Sequence, residues 1–340
     1  MVPVEWPLAA PAADRPVESA RTRGSRRLAS VRRDFFLDPA HRLTEQERAL
    51  MTAMLNDLVG SVSGALLAAV PVPPVLLTDA TSLTLRLSVA GLLDREELVS
   101  LLLMRADEHR IASAFAGRAG PRNLPLLPRL VGDKDAQVAA AAMALVVGRG
   151  QRRDAFGQPR IELADLSAVE AQCLTAAVAA GLAEAGAADR PALAEAAAAV
   201  GSGHNHSESL DSAVNDLALA LEAAGRLDDK TLETVMEDGE AVLLAALLAR
   251  RAGISAETGW GYLVGGQDGG LALLARMAGL ARPSAARLIA EFAALSGASV
   301  EEEAARFDEL GGEVVDAALA WWRLPSPFRD AATALGEARG

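Results

Sequence analysis

Apolar and polar residues along this chain follow the three-to-four-residue period of amphipathic helices. No segment shows the sustained period of two that a half-buried strand requires. Alanine and leucine supply most of the apolar positions, and both residues favour helix. Aromatic residues make up only 4% of the chain, so small side chains that let helices approach closely fill most of the interior. The pattern predicts an all-α fold.

Start and stop signals divide this pattern into helices. Thr44 and Glu47 form a capping box, and the helix that they begin is predicted to end near Ala69, before the sequence PVPP. A short helix is predicted from Ser25, with Leu28 and Phe35 on one face. Further helices are predicted over residues 79–91, 137–147, 166–184, 191–200, 209–224, 228–237, 239–252, 255–264, 268–279, 283–296, 300–307 and 311–322.

Residues 91–120 and 225–254 repeat one another. Gly91, Leu93, Asp94 and Leu98 recur in register as Gly225, Leu227, Asp228 and Leu232, and Arg-Ala-Gly closes both copies. Each copy is predicted to be a helix, a short polar break and a second helix, which begins at Asp107 in the first copy. A repeated helix pair is typical of stacked helical repeats, in which no unit buries its apolar face alone. The glycines of RAGIS (251–255), MAGLA (277–281) and LSGAS (295–299) are predicted to end helices in the left-handed conformation.

Composition divides the chain into three predicted parts. Residues 1–24 are rich in Pro, Ala and Arg without periodicity and are predicted to be a disordered tail. The polar segment at 201–207 separates an N-terminal helical part, 25–200, from a C-terminal helical part, 209–325.

Charge is distributed unevenly between the tail and the rest of the chain. The formal net charge is −12, and residues 1–42 hold eight Arg and five acidic residues, which leaves −15 on the remainder. Such an acidic surface disfavours nucleic acid as a partner, except through a local basic segment. That segment is a possible interaction site, for an acidic protein, RNA or an anionic membrane, and its alternative is a solvated tail. Its residues are Arg21, Arg23, Arg26, Arg27, Arg32 and Arg33.

The sequence predicts a cytoplasmic protein without a transmembrane segment. Cys173 is the single cysteine, predicted to be a buried structural residue, and one cysteine forms no internal disulfide. The longest uncharged stretch, residues 58–78, contains Gly60, Gly64 and three prolines that would interrupt a spanning helix. The oligomeric state stays open.

Candidate catalytic, cofactor and metal sites each have a simpler interpretation. His204 and His206 lack the further ligands of a metal site and are interpreted as a solvated loop. Residues 259–266 are rich in glycine but lack the preceding strand of a phosphate-binding loop, so they are interpreted as a helix end and turn. The acidic clusters at 96–97, 228–229 and 301–303 are interpreted as carboxylates at helix N-termini. No catalytic residue, cofactor or metal is predicted.

Two adjacent tryptophans, Trp321 and Trp322, close the last predicted helix. Adjacent helical residues point about 100° apart, so one ring is expected to pack inward while the other can face outward. A half-exposed tryptophan is a possible interface anchor, and the alternative is that the pair covers the ends of the last helices.

The stretches 32–51, 76–98, 163–185 and 225–281 together resemble an uncharacterised alphaproteobacterial family, a domain of unknown function with HEAT-like helical repeats. The pattern is clearest in GRLDDKTLETVMEDGEAVLLAALLARRAGIS, followed by LVGGQDGGLALLARMAGLA. The resemblance implies an α-solenoid-like fold of HEAT-like antiparallel helix pairs in one or two lobes. It implies no established activity and no functional residues.

Together these observations favour a non-enzymatic protein–protein interaction scaffold with an unidentified protein partner, and they leave a regulatory role open. Stacked helices expose a long surface on which a few buried anchors supply the affinity. The first alternative is a small-molecule-binding sensory module. The second is a nucleic-acid or membrane-associated protein that acts through the Arg-rich segment.

Overall fold

The computed structural model describes residues 44–70, 79–118, 125–265, 269–296 and 298–337. Within them the chain is all-α, as predicted, with sixteen α-helices and no strand. The helices are α1 (Glu45–Ala69), α2 (Ala80–Val89), α3 (Glu96–Arg118), α4 (Leu126–Val131), α5 (Ala136–Gln151), α6 (Ala168–Glu184), α7 (Arg190–Ser202), α8 (Leu210–Ala223), α9 (Asp229–Glu237), α10 (Ala241–Ala252), α11 (Ala256–Val264), α12 (Gly270–Met277), α13 (Arg282–Ser296), α14 (Val300–Glu309), α15 (Gly312–Trp322) and α16 (Ser326–Glu337). The predicted helix at Ser25 lies outside the described residues.

Contacts divide the described residues into two compact units, one up to Ala220 and one from Leu221 onward. The limits 1–24, 25–200 and 209–325 stay predictions. In the first unit, α1 begins at the predicted capping box: the Glu47 amide donates to Thr44 Oγ1, and the Thr44 amide donates to Glu47 Oε2. The helix then packs against α2, α3, α6 and α7.

Close approach between α2 and α6 depends on a glycine in the first unit. A Cβ at Gly181 would lie 2.6 Å from Leu83 Cδ1, so a larger residue would require the buried Leu83 side chain to move. Leu83 and Leu87 of α2 are both buried at this contact. The core of the unit therefore extends without interruption from α1 through α2 to α6.

In the second unit, α10 and α12 are buried on nearly every side. All nine residues from Ala241 to Ala249 are buried, as are Leu271 to Ala275. A helix that is apolar all round requires neighbours all round. α10 has them in α9, α11 and α12, and α12 packs further against α13, α14 and α15.

Within the described residues, six helices end in the same way. Each terminal glycine has a positive φ of 63–73°, its amide donates to the carbonyl three residues back, and the next amide donates to the carbonyl five residues back. This is the Schellman arrangement, which satisfies the last carbonyls of a helix. The prediction is confirmed at Gly253 and Gly279, whereas Gly297 lies outside the described residues. The six glycines are Gly91, Gly186, Gly225, Gly239, Gly253 and Gly279.

The predicted break in the first repeat copy is wrong. α3 runs unbroken from Glu96 to Arg118, and Asp107 lies inside it, buried and paired with Arg110 at 3.1 Å. In the second copy, α9 and α10 are separate helices because Gly239 has a φ of +70°. Since Gly225 aligns with Gly91, Gly239 aligns with Arg105. Arginine favours helix, so the first copy continues where the second copy ends.

Candidate functional site

The interaction residues predicted from sequence fall into two groups. Arg21, Arg23, Arg26, Arg27, Arg32 and Arg33 lie outside the described residues. Trp321 and Trp322 are both half-buried, at the end of α15.

Trp322 is held by contacts within the second unit. Its Nε1–H donates to Tyr262 Oη at 3.0 Å, and the two rings meet edge to face at 6.0 Å. The Arg329 guanidinium lies 4.7 Å from the centre of the Trp322 ring, within cation–π range. Burial raises the pKa of the Tyr262 hydroxyl, although the bond from Trp322 acts in the opposite direction. Trp322 thus attaches α16 to α11, and the role of either tryptophan as a partner anchor stays a prediction.

A groove of about 620 Å³ runs along the seam between α6 and α7 in the first unit. Its floor consists of small or buried residues, among them Ala179, Ala197 and Gly201. Exposed alanines form its walls: Ala176 and Ala180 on α6, and Ala194 and Ala198 on α7. Small side chains on both helices therefore leave an apolar channel open to solvent.

Polar groups lie only at the two ends of this groove. Glu184 and Arg190 form an exposed ion pair of 2.6 Å at one end. Gln172, Thr175 and Ser202 lie at the other end, where the Thr175 hydroxyl donates to the Gln172 carbonyl. The middle of the groove offers no charged group to a ligand, so recognition there has to be by shape and apolar contact.

The two groove helices are positioned by caps and a glycine turn. Ser167 caps α6 by accepting from the Glu170 amide, and both its amide and its hydroxyl donate to Glu97 at the start of α3. Gly186, in the left-handed conformation, ends α6 and lets the chain reverse into α7. Cys173 of α6 is half-buried, rather than buried as predicted.

A small hairpin after α5 displays one aromatic side chain to solvent. Asp154 Oδ1 accepts from the amides of Phe156 and Gln158, both at 2.8 Å, and the Arg160 amide donates to the Arg152 carbonyl. Phe156 is 88% exposed at its tip. The helix before it continues to Gln151, four residues beyond the limit of 147 predicted from the sequence.

The base of this hairpin is fixed by a buried ion pair between Arg152 and Asp165. Arg152 Nε lies 2.9 Å from both carboxylate oxygens, and the Asp165 side chain has no exposed surface. Asp165 also accepts from the amides of Glu162 and Leu210. One carboxylate therefore joins the end of α5, the segment before α6 and the first residue of α8.

The two loop histidines converge on one carbonyl. His204 Nε2 lies 2.9 Å and His206 Nδ1 lies 3.2 Å from the Leu166 oxygen, and the two rings stack with centroids 6.3 Å apart. Among the residues that the structure describes, no group of three or more His, Cys, Asp and Glu side chains is arranged to hold a metal ion.

A second buried arginine, Arg105, sits beside α5 and α8. Its guanidinium pairs with Glu108 at 2.9 Å and with Asp211 at 2.8 Å. Burial alone would lower the pKa of Arg105, but attraction to Asp211 and Glu108 raises it. The residue that continues α3 past the predicted break is therefore also an ion-pair centre.

In the second unit, Glu303 of α14 reaches the N-terminus of α12. Its two carboxylate oxygens accept from the Gly269 and Ala272 amides, each at 2.8 Å. Burial raises the pKa of Glu303, although these two amides favour the charged form. Sequence reasoning placed Glu303 at the start of its own helix but missed this contact with another helix.

One helix in the described ranges, α1, is long and apolar enough to cross a membrane by length and composition. Buried core helices of soluble proteins meet the same criteria, and 39% of its most apolar window is buried in this fold. The absence of a transmembrane segment stays a prediction.

A protein-family model matches residues 87–319, more than half of the chain, and its family is described as an uncharacterised protein conserved in bacteria (DUF2336). The match begins in α2 and ends in α15, so it includes the groove, the hairpin and Glu303. No curated protein and no solved structure matches the chain.

Proposed function

We propose that this chain, which belongs to the DUF2336 family, is a non-enzymatic scaffold that binds a partner protein through the groove between α6 and α7. The observation that carries the proposal is the apolar, alanine-lined channel, open to solvent and charged only at one end. We take its occupant to be an amphipathic helix of the partner.

The dimensions and side chains of the groove support a helical occupant. Its α6 wall extends from Gln172 to Glu184, thirteen residues or about 20 Å of helix. Alanine walls allow a third helix axis to come close, and the larger side chains of that helix would fill the channel. Apolar anchors at i, i+3 or i+4, and i+7 match this mode of recognition.

We further propose that the helix pairs stack as HEAT-like repeats. The recurring glycine ends and the neighbouring pairs α4–α5, α6–α7 and α10–α11 support this arrangement. In a stack, the outer face of a helix pair stays open unless another pair covers it. The α6–α7 pair fits this description. α1 and α2 pack against the two helices, whereas the groove between them remains open to solvent.

A matched pair of variants tests the proposal. Ala198 and its neighbour Ala199 are both exposed on α7. Ala198 lines the groove, and Ala199 does not. Crosslinked capture from the native lysate is carried out with the wild type, Ala198→Arg and Ala199→Arg. The expected partner is retained by the wild type and Ala199→Arg and lost with Ala198→Arg.

The captured protein then has to contain an amphipathic helix that binds the groove. A synthetic peptide of its amphipathic helix should bind wild type and Ala199→Arg alike, and Ala198→Arg at least about tenfold more weakly, because an arginine fills the channel. Equal binding of the peptide to both variants, or no enriched protein at all, overturns the proposal. A chain shortened to begin at Leu43 shows whether capture needs the Arg-rich segment.

A small-molecule sensor is the second candidate, and the groove volume favours it. At about 620 Å³, the groove falls within the size range of ligand pockets. A metabolite bound there would raise the unfolding temperature of the wild type by mass action, but not that of Ala198→Arg. Thermal scans against a metabolite library therefore separate the sensor from the scaffold.

A further inference from the structure

One face of α5 is apolar and open to solvent. Val138 and Leu145 turn inward and are buried, whereas Met143 and Val147 are 47% and 49% exposed. Ala136, Ala140 and Ala144 are exposed as well. No residue between Asp135 and Arg149 carries a charge. A continuous apolar face on a helix surface marks a contact with another surface.

Side-chain size is distributed unequally along this face. Its N-terminal half presents Ala136 and Ala140, and its C-terminal half presents the larger Val147. If two such helices ran parallel, large residues would meet large ones and small would meet small. In an antiparallel pair, each large side chain meets a small one, which is the complementarity that close packing requires.

Charge follows the same polarity. Asp133, Lys134 and Asp135 precede α5 with a net charge of −1. At or just beyond its C-terminal end, Arg149, Arg153 and Asp154 carry a net charge of +1, and Arg152 there is neutralised by Asp165. An antiparallel arrangement brings the acidic end of one helix beside the basic end of the other, whereas a parallel arrangement brings like charges together. Size thus selects the antiparallel orientation, and the small net charges of the two helix ends agree with it.

We propose that α5 pairs with α5 of a second copy of this chain about a two-fold axis that passes between Met143 and Ala144. In this register Val147 packs on Ala140 of the other copy, and Met143 packs on Ala144. The interface is isologous, so both copies use the same surface. The proposal does not depend on the α6–α7 groove, whose occupant is a different protein.

The expected dimer is weak. α5 has sixteen residues, so the contact is about 24 Å long. An interface of one helix face falls below the roughly 800 Å² per partner of standard complexes. We therefore expect a concentration-dependent monomer–dimer equilibrium, followed by analytical ultracentrifugation over roughly 1–500 μM.

Two valine variants test the surface. Val147→Glu places a carboxylate opposite Ala140 in the apolar seam and is expected to raise the dimer dissociation constant about tenfold or more. Val169, in the first turn of α6, is 67% exposed and provides the matched control. Val169→Glu adds the same charge at a position where helices tolerate acids, and should change dimerisation less than about twofold.

Cysteine cross-linking tests the orientation in a Cys173→Ser background of the full chain. Ala144→Cys lies beside the two-fold axis and should form a disulfide between copies under mild oxidation. Ala136→Cys should not, because the two Ala136 positions lie about 20 Å apart along an antiparallel pair. A monomer throughout the concentration range, equal dimerisation of wild type and Val147→Glu, or cross-linking at 136 as efficient as at 144 overturns the proposal.

Discussion

At Asp165, a single carboxylate connects the end of α5, the segment before α6 and the start of α8. It pairs with Arg152 and accepts from the amides of Glu162 and Leu210, all at 2.9 Å. Neither charged side chain of the pair is more than 4% exposed. A buried charge that loses its partner stays desolvated without compensation, so this pair matters most when one member is removed.

Asp165→Asn is expected to lower the free energy of unfolding by about 3–5 kcal/mol, because the buried Arg152 guanidinium keeps only the more distant Glu162 carboxylate, 3.8 Å away, as an anion. Denaturant unfolding monitored by circular dichroism measures the change. Glu184→Gln is the control, since the Glu184–Arg190 pair is largely exposed and should contribute no more than about 1 kcal/mol. Losses of similar size in both variants would contradict this account.

Glu303→Gln is expected to destabilise the chain by about 1–3 kcal/mol. Glutamine replaces one of the two acceptor oxygens with an NH2 group, which only donates and therefore cannot accept from the Gly269 or Ala272 amide that it faces. Urea unfolding of wild type and variant measures the loss. Glu302→Gln, on the adjacent residue of α14, controls for charge at the helix N-terminus.

The pH dependence of the same variant follows from the raised pKa of Glu303. Burial favours the protonated form in the folded state, so the fold binds more protons than the unfolded chain just above the ordinary pKa of 4.5. Stability from this group is therefore fully present below pH 4.5 and is lost as pH rises through the folded pKa. As pH rises above 4.5, the difference in free energy of unfolding between wild type and Glu303→Gln should become smaller. A difference that grows with pH would contradict a raised pKa of Glu303 in the folded state.

These residue contacts were beyond reach of the sequence because they join distant positions. Glu303 is the last of three glutamates at the start of a helix, and the favourable interaction of carboxylates with a helix N-terminus already explains that pattern. Asp165 lies 45 residues from Leu210 in the sequence, and it accepts a hydrogen bond from the Leu210 amide. The groove was also missed, because alanines that line an open channel have the same spacing as alanines in a core.

At the scale of helices, local chemistry predicted most of the boundaries. Helices α8 to α15 each begin and end within two residues of their predicted limits, because caps and terminal glycines mark them. The prediction of a break at Asp107 was wrong because the first repeat copy has Arg105 at the position where the second copy has Gly239. α16 was not predicted. It presents Phe328 and Leu335 to solvent, and none of its residues from Ser326 to Gly336 is buried.

Two glycine-to-alanine changes should have opposite effects. Gly253 ends α10 with a φ of +68°, whereas Gly64 lies inside α1, and a Cβ at either position meets no atom within 4 Å. Gly253→Ala should cost about 1–2 kcal/mol through left-handed backbone strain. Gly64→Ala should stabilise by about 0.5–1 kcal/mol by restricting the unfolded chain. Thermal unfolding of both variants checks the difference, and shifts of the same sign would refute it.

For the whole molecule, charge separates the Arg-rich segment from the rest of the chain. Residues 43–340 carry a formal charge of −15, so a chain that begins at Leu43 should not bind duplex DNA even at low salt. Fluorescence anisotropy with labelled DNA measures binding by this chain and by the full chain. Affinity confined to the full chain, and falling steeply with salt, would favour the second alternative function. Binding by the shortened chain would contradict the prediction.

The six helix ends with the same hydrogen-bond pattern have a consequence for how a helical chain can gain or lose length. Each end is closed by hydrogen bonds within about six consecutive residues, so closing one helix requires nothing from the next. A helix pair could then be gained or lost at such a glycine while the remaining ends stay satisfied. If the helix pairs stack as we propose, length is therefore free to vary by whole helix pairs, with the adjustment confined to the newly exposed apolar face.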